Sequence, residues 1–238
     1  MRPARARQTL ARVLPLLRRE YGPRPYRPGG SAVGELVGTI LSQNTSGANA
    51  SAGFRQLWRR FRCFSGVADA PVGEIEKCIR VAGLSRIKAP RIRRILRQIR
   101  VRGGGRQVSL EFLRPMPVEE ATRYLLGFNG VGAKTAACVL LFAFGRRVFP
   151  VDTHILRIAQ RLGVLAAGTS AEKAQEILTP LIRPAGRYEM HVLLITHGRR
   201  TCRARNPRCE LCPLLKMCRY GRRASGGAGT STISKAHG

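Results

Sequence analysis

Four of the chain's seven cysteines crowd into one stretch, Cys202-x6-Cys209-x2-Cys212-x5-Cys218, and no other feature limits the fold as much. Sulfurs this close in sequence either pair as disulfides or gather round a metal. Disulfides are disfavoured because the other three cysteines, Cys63, Cys78 and Cys138, are scattered through apolar helical segments and the total is odd. Those three read as small buried apolar residues. Four thiolates leave no open metal position, so the site serves structure and not hydrolysis. Zinc usually takes two C-x2-C-type pairs from separate knuckles. A single loop of 6-2-5 spacing, with Pro213 after its third cysteine, favours a four-iron four-sulfur cluster, and spacing alone leaves zinc as the alternative.

The rest of the chain is strongly cationic: among 238 residues, 43 Lys or Arg against 13 Asp or Glu give a formal charge of +30. With 44% hydrophobic residues the chain is foldable, but it repels itself unless a polyanion neutralises it. The longest apolar run, residues 136–144, is too short to span a bilayer, and no cleavable apolar leader follows the N-terminus. Membrane and secreted classes are therefore excluded. Nine basic residues and no acid lie between Arg86 and Arg106, with Ile92, Ile95, Leu96 and Ile99 among them at helical spacing. This predicts a helix with one buried face and one cationic face suited to phosphates, a merely solvated basic face being the alternative. Lysines number six, so each merits individual inspection.

Periodicity near 3.6 dominates from Ser31 onward, in segments near 50–61, 73–81, 90–100, 118–126, 133–144, 153–162, 171–182 and 188–196. Strand-like alternation is scarce, so the fold is all-α. At the start, the basic segment 1–30 contains Leu10, Val13, Leu14 and Leu17, which make an ordinary amphipathic helix in preference to a mitochondrial presequence. Residues 221–238, rich in Gly, Ser and Thr without periodicity, are expected to be disordered.

Two further constellations carry chemistry. Gly130-Val131-Gly132 immediately precedes a helix, and such a turn can grip a phosphate through backbone N–H groups, although it can equally be a plain helix connection. Lys134 falls in that helix's first turn, where the positive dipole end disfavours an ammonium and suits an uncharged nucleophile. Asp152, one of only two aspartates, directly precedes a helix through Ile155, Ile158 and Leu162. An N-cap is its simplest role.

With these residues in view, the chain resembles the endonuclease III family of helix-hairpin-helix DNA glycosylases, from about Ser31 to Tyr220. Four ordered motifs carry the resemblance: Ile40-Leu-Ser-Gln-Asn-Thr45, Gly130-Val-Gly-Ala-Lys-Thr135, Val151-Asp-Thr-His154, and the cysteine loop preceded by Thr196-His-Gly-Arg199. It implies a six-helix barrel (31–146) holding the hairpin and a C-terminal iron–sulfur cluster domain (147–220) joined by the N-terminal segment 1–30. The active site is expected in the cleft between them. It further implies Lys134 as Schiff-base nucleophile, Asp152 as catalytic acid, and Cys202, Cys209, Cys212 and Cys218 as ligands of a 4Fe-4S cluster. Gln43 and Leu84 match positions that fill the gap left by a flipped base. Gly130, Val131, Gly132 and the loop arginines Arg203, Arg205 and Arg208 are expected to contact DNA, the arginines having a solvated surface role as the alternative.

The expected partner is double-stranded DNA containing damaged bases or abasic sites, and the expected protein is a monomeric, cytoplasmic, nucleoid-associated bacterial enzyme. The activity implied is that of a bifunctional glycosylase and AP lyase on oxidised pyrimidines. Three alternatives stay open: a monofunctional glycosylase, a modified-cytosine or mismatch glycosylase, and a non-catalytic metal-loop DNA-binding protein. Departures from the family pattern are Asn129, where the family has a proline, roughly ten extra residues near 102–115, and strings shared with plant 5-methylcytosine glycosylases. The adenine-excising branch fits less well, since Thr39 stands where its glutamate would align.

Overall fold

The computed structural model describes residues 2–27, 30–105 and 107–226, and every regular element among them is helical. One compact unit is Arg27–Pro150; the other combines the residues up to Tyr26 with those from Val151 onward. The first is thus an insertion in the second. No helix among the described residues is long and apolar enough to cross a membrane.

Within the inserted unit, α2 (Ala32–Ser42) is the hub. Val33, Leu36, Val37, Ile40 and Leu41 are all buried, as they must be in a helix surrounded by others. Packed against it are α3 (Gly47–Phe61), α6 (Ser85–Arg102) and α8 (Ala133–Cys138). Ser31 and Ser46 start α2 and α3 by accepting the N–H groups of Gly34 and Asn49. The short helices α4 (Phe64–Asp69) and α5 (Val72–Ile79) cover α6. They bury Ile92, Ile95, Leu96 and Ile99, each contributing about 1.5–3 kcal/mol.

Three local features differ from the sequence pattern. Cys63 is exposed, and its Sγ accepts the Gly66 N–H at 3.3 Å as the N-cap of α4; Cys78 is half-buried, and only Cys138 of the three is a core residue. Of the extra residues near 102–115, those at 110–113 pack on the rest of the unit. Leu110 and Leu113 are buried, and Phe112 meets Tyr124 of α7 (Val118–Leu126) edge-on at 5.2 Å. After Cys138 the helix widens into a π-turn, Val139–Ala143, which lets Val139, Leu140 and Leu141 all reach the core.

In the second unit α1 (Pro3–Tyr21) packs along α11 (Arg187–Arg200) through a stripe of Ala6, Leu10, Val13 and Leu17. Glu189 fastens the pair, accepting hydrogen bonds from the Arg18 guanidinium and from the Arg24 N–H at 3.0 Å. The Arg18 hydrogen bond holds the Glu189 carboxyl below the usual carboxylate range. Helix α9 (Thr153–Leu162) also packs on α11, and α10 (Ala171–Leu178) and α12 (Arg219–Gly226) pack on α9. Residues 221–226, expected to belong to a disordered tail, are therefore helical; 227–238 lie outside the described residues. The start of α12 is pinned because the Arg161 guanidinium lies 4.5 Å over the Tyr220 ring and the Gly221 N–H donates to Cys218 Sγ.

Candidate active site and metal centre

Between α7 and α8 the chain turns tightly. Gly130 has φ +83°, a backbone that favours glycine, and a Cβ there would lie 2.3 Å from Arg91 Nε and displace that side chain. Gly132, by contrast, is extended with open space beside it. Val131 does not present itself for phosphate contact: its side chain is buried and its N–H donates to the Phe128 carbonyl at 3.0 Å. It anchors the turn, while Asn129, Gly130 and Gly132 form its exposed surface.

Lys134 is the second residue of α8 and is half-buried. Its charged neighbour is Glu35 on α2, a residue that sequence reasoning passed over. Burial pushes the Glu35 carboxyl above the usual carboxylate range, opposed by the Thr39 hydroxyl, which donates to its Oε1 at 3.2 Å, and by the attraction of Lys134. A lone acid in an otherwise apolar helix was the available signal.

Also in the inserted unit, Gln43 ends α2. Its Nε2 donates to the Gly130 carbonyl at 3.1 Å and its Oε1 accepts from Arg91 at 3.3 Å. Leu84 is 48% exposed and sits at φ +51°, directly after Gly83 at φ +68°. A left-handed leucine costs roughly 1–2 kcal/mol, and here the strained backbone carries an exposed apolar side chain.

In the second unit, Asp152 does cap α9, its Oδ1 accepting the Ile155 N–H at 2.9 Å. Capping engages one oxygen of the carboxylate. Further along α9, Arg157 donates to the carbonyls of Gly198 and Cys202 and to His154 Nδ1. Arg161 donates to Cys202 Sγ at 3.3 Å and to the carbonyls of Arg203 and Ala204. The helix that begins at Asp152 is thus tied to the cysteine loop by two arginines at i, i+4, a spacing visible in the sequence and missed there.

Cys202, Cys209, Cys212 and Cys218 line one cavity together with Arg161, Thr201 and Tyr220. N–H groups of Arg161 and Gly221 point at two of the sulfurs, and His197 Nε2 lies 3.7 Å from a third, Cys212. Left as a thiol, Cys212 is pushed up to about 11 by burial; burial, with Arg157, drives His197 down to about 4. Among the described residues the four sulfurs do not close on the position of one metal ion. They ring one small cavity, as the four corner ligands of an iron–sulfur cluster do. Arg203, Arg205 and Arg208 are all exposed on this loop.

Residues 37–184 match the family model described as HhH-GPD superfamily base excision DNA repair protein, and residues 202–218 match the iron-sulfur binding domain of endonuclease III. Endonuclease III of Sulfolobus acidocaldarius is 33% identical over 187 residues, which is 78% of this chain and 80% of that protein. DNA glycosylase/AP lyase ROS1 of Arabidopsis thaliana is 33% identical over 193 residues, 73% of this chain but only 14% of ROS1. A further Arabidopsis relative is covered over 57% of its length, so the chain spans only part of several relatives. A solved structure of a trapped endonuclease III–DNA covalent intermediate has a TM-score of 0.77 at 27% identity, covering 92% of this chain and 98% of that one.

Cavity, donors and family match together assign a 4Fe-4S cluster to the four cysteines. When bound it cross-links the loop. Anaerobically prepared protein should be yellow-brown, with broad absorbance near roughly 400 nm. Cys209→Ser should lose colour and DNA affinity together. Arg205→Ala should keep the colour and bind DNA with a salt dependence shallower by about one phosphate contact. A colourless preparation carrying stoichiometric zinc would overturn the assignment.

Proposed function

Given that the chain belongs to the HhH-GPD superfamily of base excision DNA repair proteins, in its endonuclease III branch, and is a DNA glycosylase, we propose that it is bifunctional. It removes damaged, chiefly oxidised, pyrimidines from double-stranded DNA and then nicks the abasic site as an AP lyase. The observation that carries this is Lys134, half-buried at the start of α8 behind a glycine-locked hairpin, with Glu35 as its charged neighbour. Binding alone needs no such lysine. ROS1, whose name joins glycosylase to AP lyase, and the covalent intermediate trapped in endonuclease III lend support.

The target nucleotide leaves the base stack. As its N-glycosidic bond lengthens, positive charge builds on the sugar, and the Asp152 carboxylate stabilises that charge or takes a proton from the Lys134 amine. Lys134 Nζ bonds to C1′ while the base departs with the electron pair of the broken bond and is protonated. The nitrogen, having given up one proton, then forms a protonated imine with C1′ as the C1′–O4′ bond breaks. O4′ leaves with that electron pair and takes up a proton, the sugar ring opens, and the imine acidifies the C2′ hydrogens. A base removes one of them, and the C3′–O bond breaks to release the 3′ phosphate. Arg203, Arg205 and Arg208 hold phosphates on the flanking duplex. The enzyme works as a monomer on nucleoid DNA, where its charge is neutralised.

Borohydride trapping on duplexes carrying an oxidised pyrimidine, 5-methylcytosine, a T·G mismatch or an abasic site tests this. Adducts are expected with the oxidised pyrimidine and the abasic site. Adducts confined to 5-methylcytosine or the mismatch would replace the substrate, and none on the abasic duplex would remove the lyase step.

Gln43 and Leu84 fill the gap left by the flipped nucleotide. Leu84→Ala should slow excision from paired duplex about tenfold or more, yet leave nicking at a preformed abasic site within about twofold, because less unstacking is needed there. Equal losses on both would make Leu84 a packing residue.

A further inference from the structure

The sequence places Lys88 on the cationic face of α6. The structure does not: Lys88 is 1% exposed, among the largest fully buried side chains in the protein. Its ammonium is enclosed by three backbone carbonyls, those of Leu41 at 2.8 Å, Gln43 at 2.7 Å and Ala82 at 2.9 Å. An ammonium has three donors and no acceptor, so this cage uses it completely. A neutral amine would turn a lone pair toward one of the oxygens.

The placement of those oxygens is informative. Leu41 and Gln43 lie at the C-terminal end of α2, where unpaired carbonyls concentrate partial negative charge. Ala82 immediately precedes Gly83 and Leu84, both of which have positive φ. One buried cation therefore ties the end of α2, which bears Gln43, to the turn that bears Leu84. Arg91, one turn further along α6, holds the Gln43 side chain at the hairpin.

We propose that Lys88 is a positioning residue: its ammonium fixes the separation of Gln43 and Leu84, so that the two enter the duplex as a single wedge. The proposal rests on the assignment of both residues to the gap left by the flipped nucleotide. Without the cation, three buried carbonyls lose their donor and the strained turn at Leu84 loses its tether.

Lys88→Met keeps the approximate volume and removes the donors. Its activity is measured per trap-competent molecule, by borohydride titration on abasic DNA. Single-turnover excision of a damaged base from paired duplex should fall about tenfold or more, while excision of the same base from an unpaired bubble stays within about twofold, since a nucleotide already out of the stack needs no wedge. Combined with Leu84→Ala, it should be no slower than Leu84→Ala alone, as expected for two changes acting through one element. Equal losses on paired and unpaired substrates, or additive losses in the double variant, would overturn the proposal. If Lys88→Met does not fold, Lys88→Gln, which retains two donors, is judged by the same outcomes; if neither folds, Lys88 is a folding residue and the positioning role is overturned. Selective loss in Leu84→Ala without selective loss in Lys88→Met sinks the positioning role alone. Unselective loss in Leu84→Ala sinks the wedge, and the positioning role with it.

Discussion

Lys134→Ala should fold, hold its cluster and bind an abasic duplex, yet give no borohydride adduct and no strand nick above background. Folding should survive because alanine is a better helix former than lysine and the residue is only half-buried. Chemistry should not survive, because the atom that bonds to C1′ has gone. A carboxyl such as that of Glu35 cannot form an imine in its place. Loss of nicking by more than about a thousandfold is expected, measured under single turnover. Undiminished trapping in this variant would move the nucleophile to another residue.

Asp152→Asn separates the cap seen at α9 from the catalytic role proposed for the same side chain. Asparagine also accepts at an N-cap, so the bond to the Ile155 N–H persists and the melting temperature should stay close to that of the parent. What is lost is the negative charge. Base excision should fall about a hundredfold or more, within the range of a removed acid–base or charge-stabilising group. Asp152→Ala should add a stability loss of about 0.5–2 kcal/mol from the missing cap. Single-turnover excision near the parental rate in Asp152→Asn would leave the residue with capping alone.

Much of this architecture is legible from residue order. The periodicity of Ile92, Ile95, Leu96 and Ile99 fixes the buried face of α6, and Asp152 before an amphipathic run announces a cap, because both are local patterns. The cysteine loop is legible because its four side chains are close in sequence. What escapes notice depends on partners far along the chain. Lys88 looks like its arginine neighbours until carbonyls 45 and 47 residues away converge on it. Val131 reads as part of a turn whose N–H groups are open to a phosphate until its own N–H is found on Phe128. Residues 221–226 are helical because Tyr220 and Gly221 answer to Arg161 and Cys218, which composition does not record.

The insertion of one unit within the other has a consequence for how the protein is made. A ribosome delivers α1 well before α11, with its stripe of Leu10, Val13 and Leu17 directed at a helix that does not yet exist; Glu189, which fastens Arg18, arrives 171 residues later. In the interval Arg27–Pro150, a contiguous stretch with its own core, can close while α1 waits with its apolar side exposed. Assembly therefore runs from the middle outward. A nascent chain stalled before α11 should hold a protease-resistant centre preceded by an unprotected α1, and a lesion in the part of the message that encodes α11 would release a helix translated long before it.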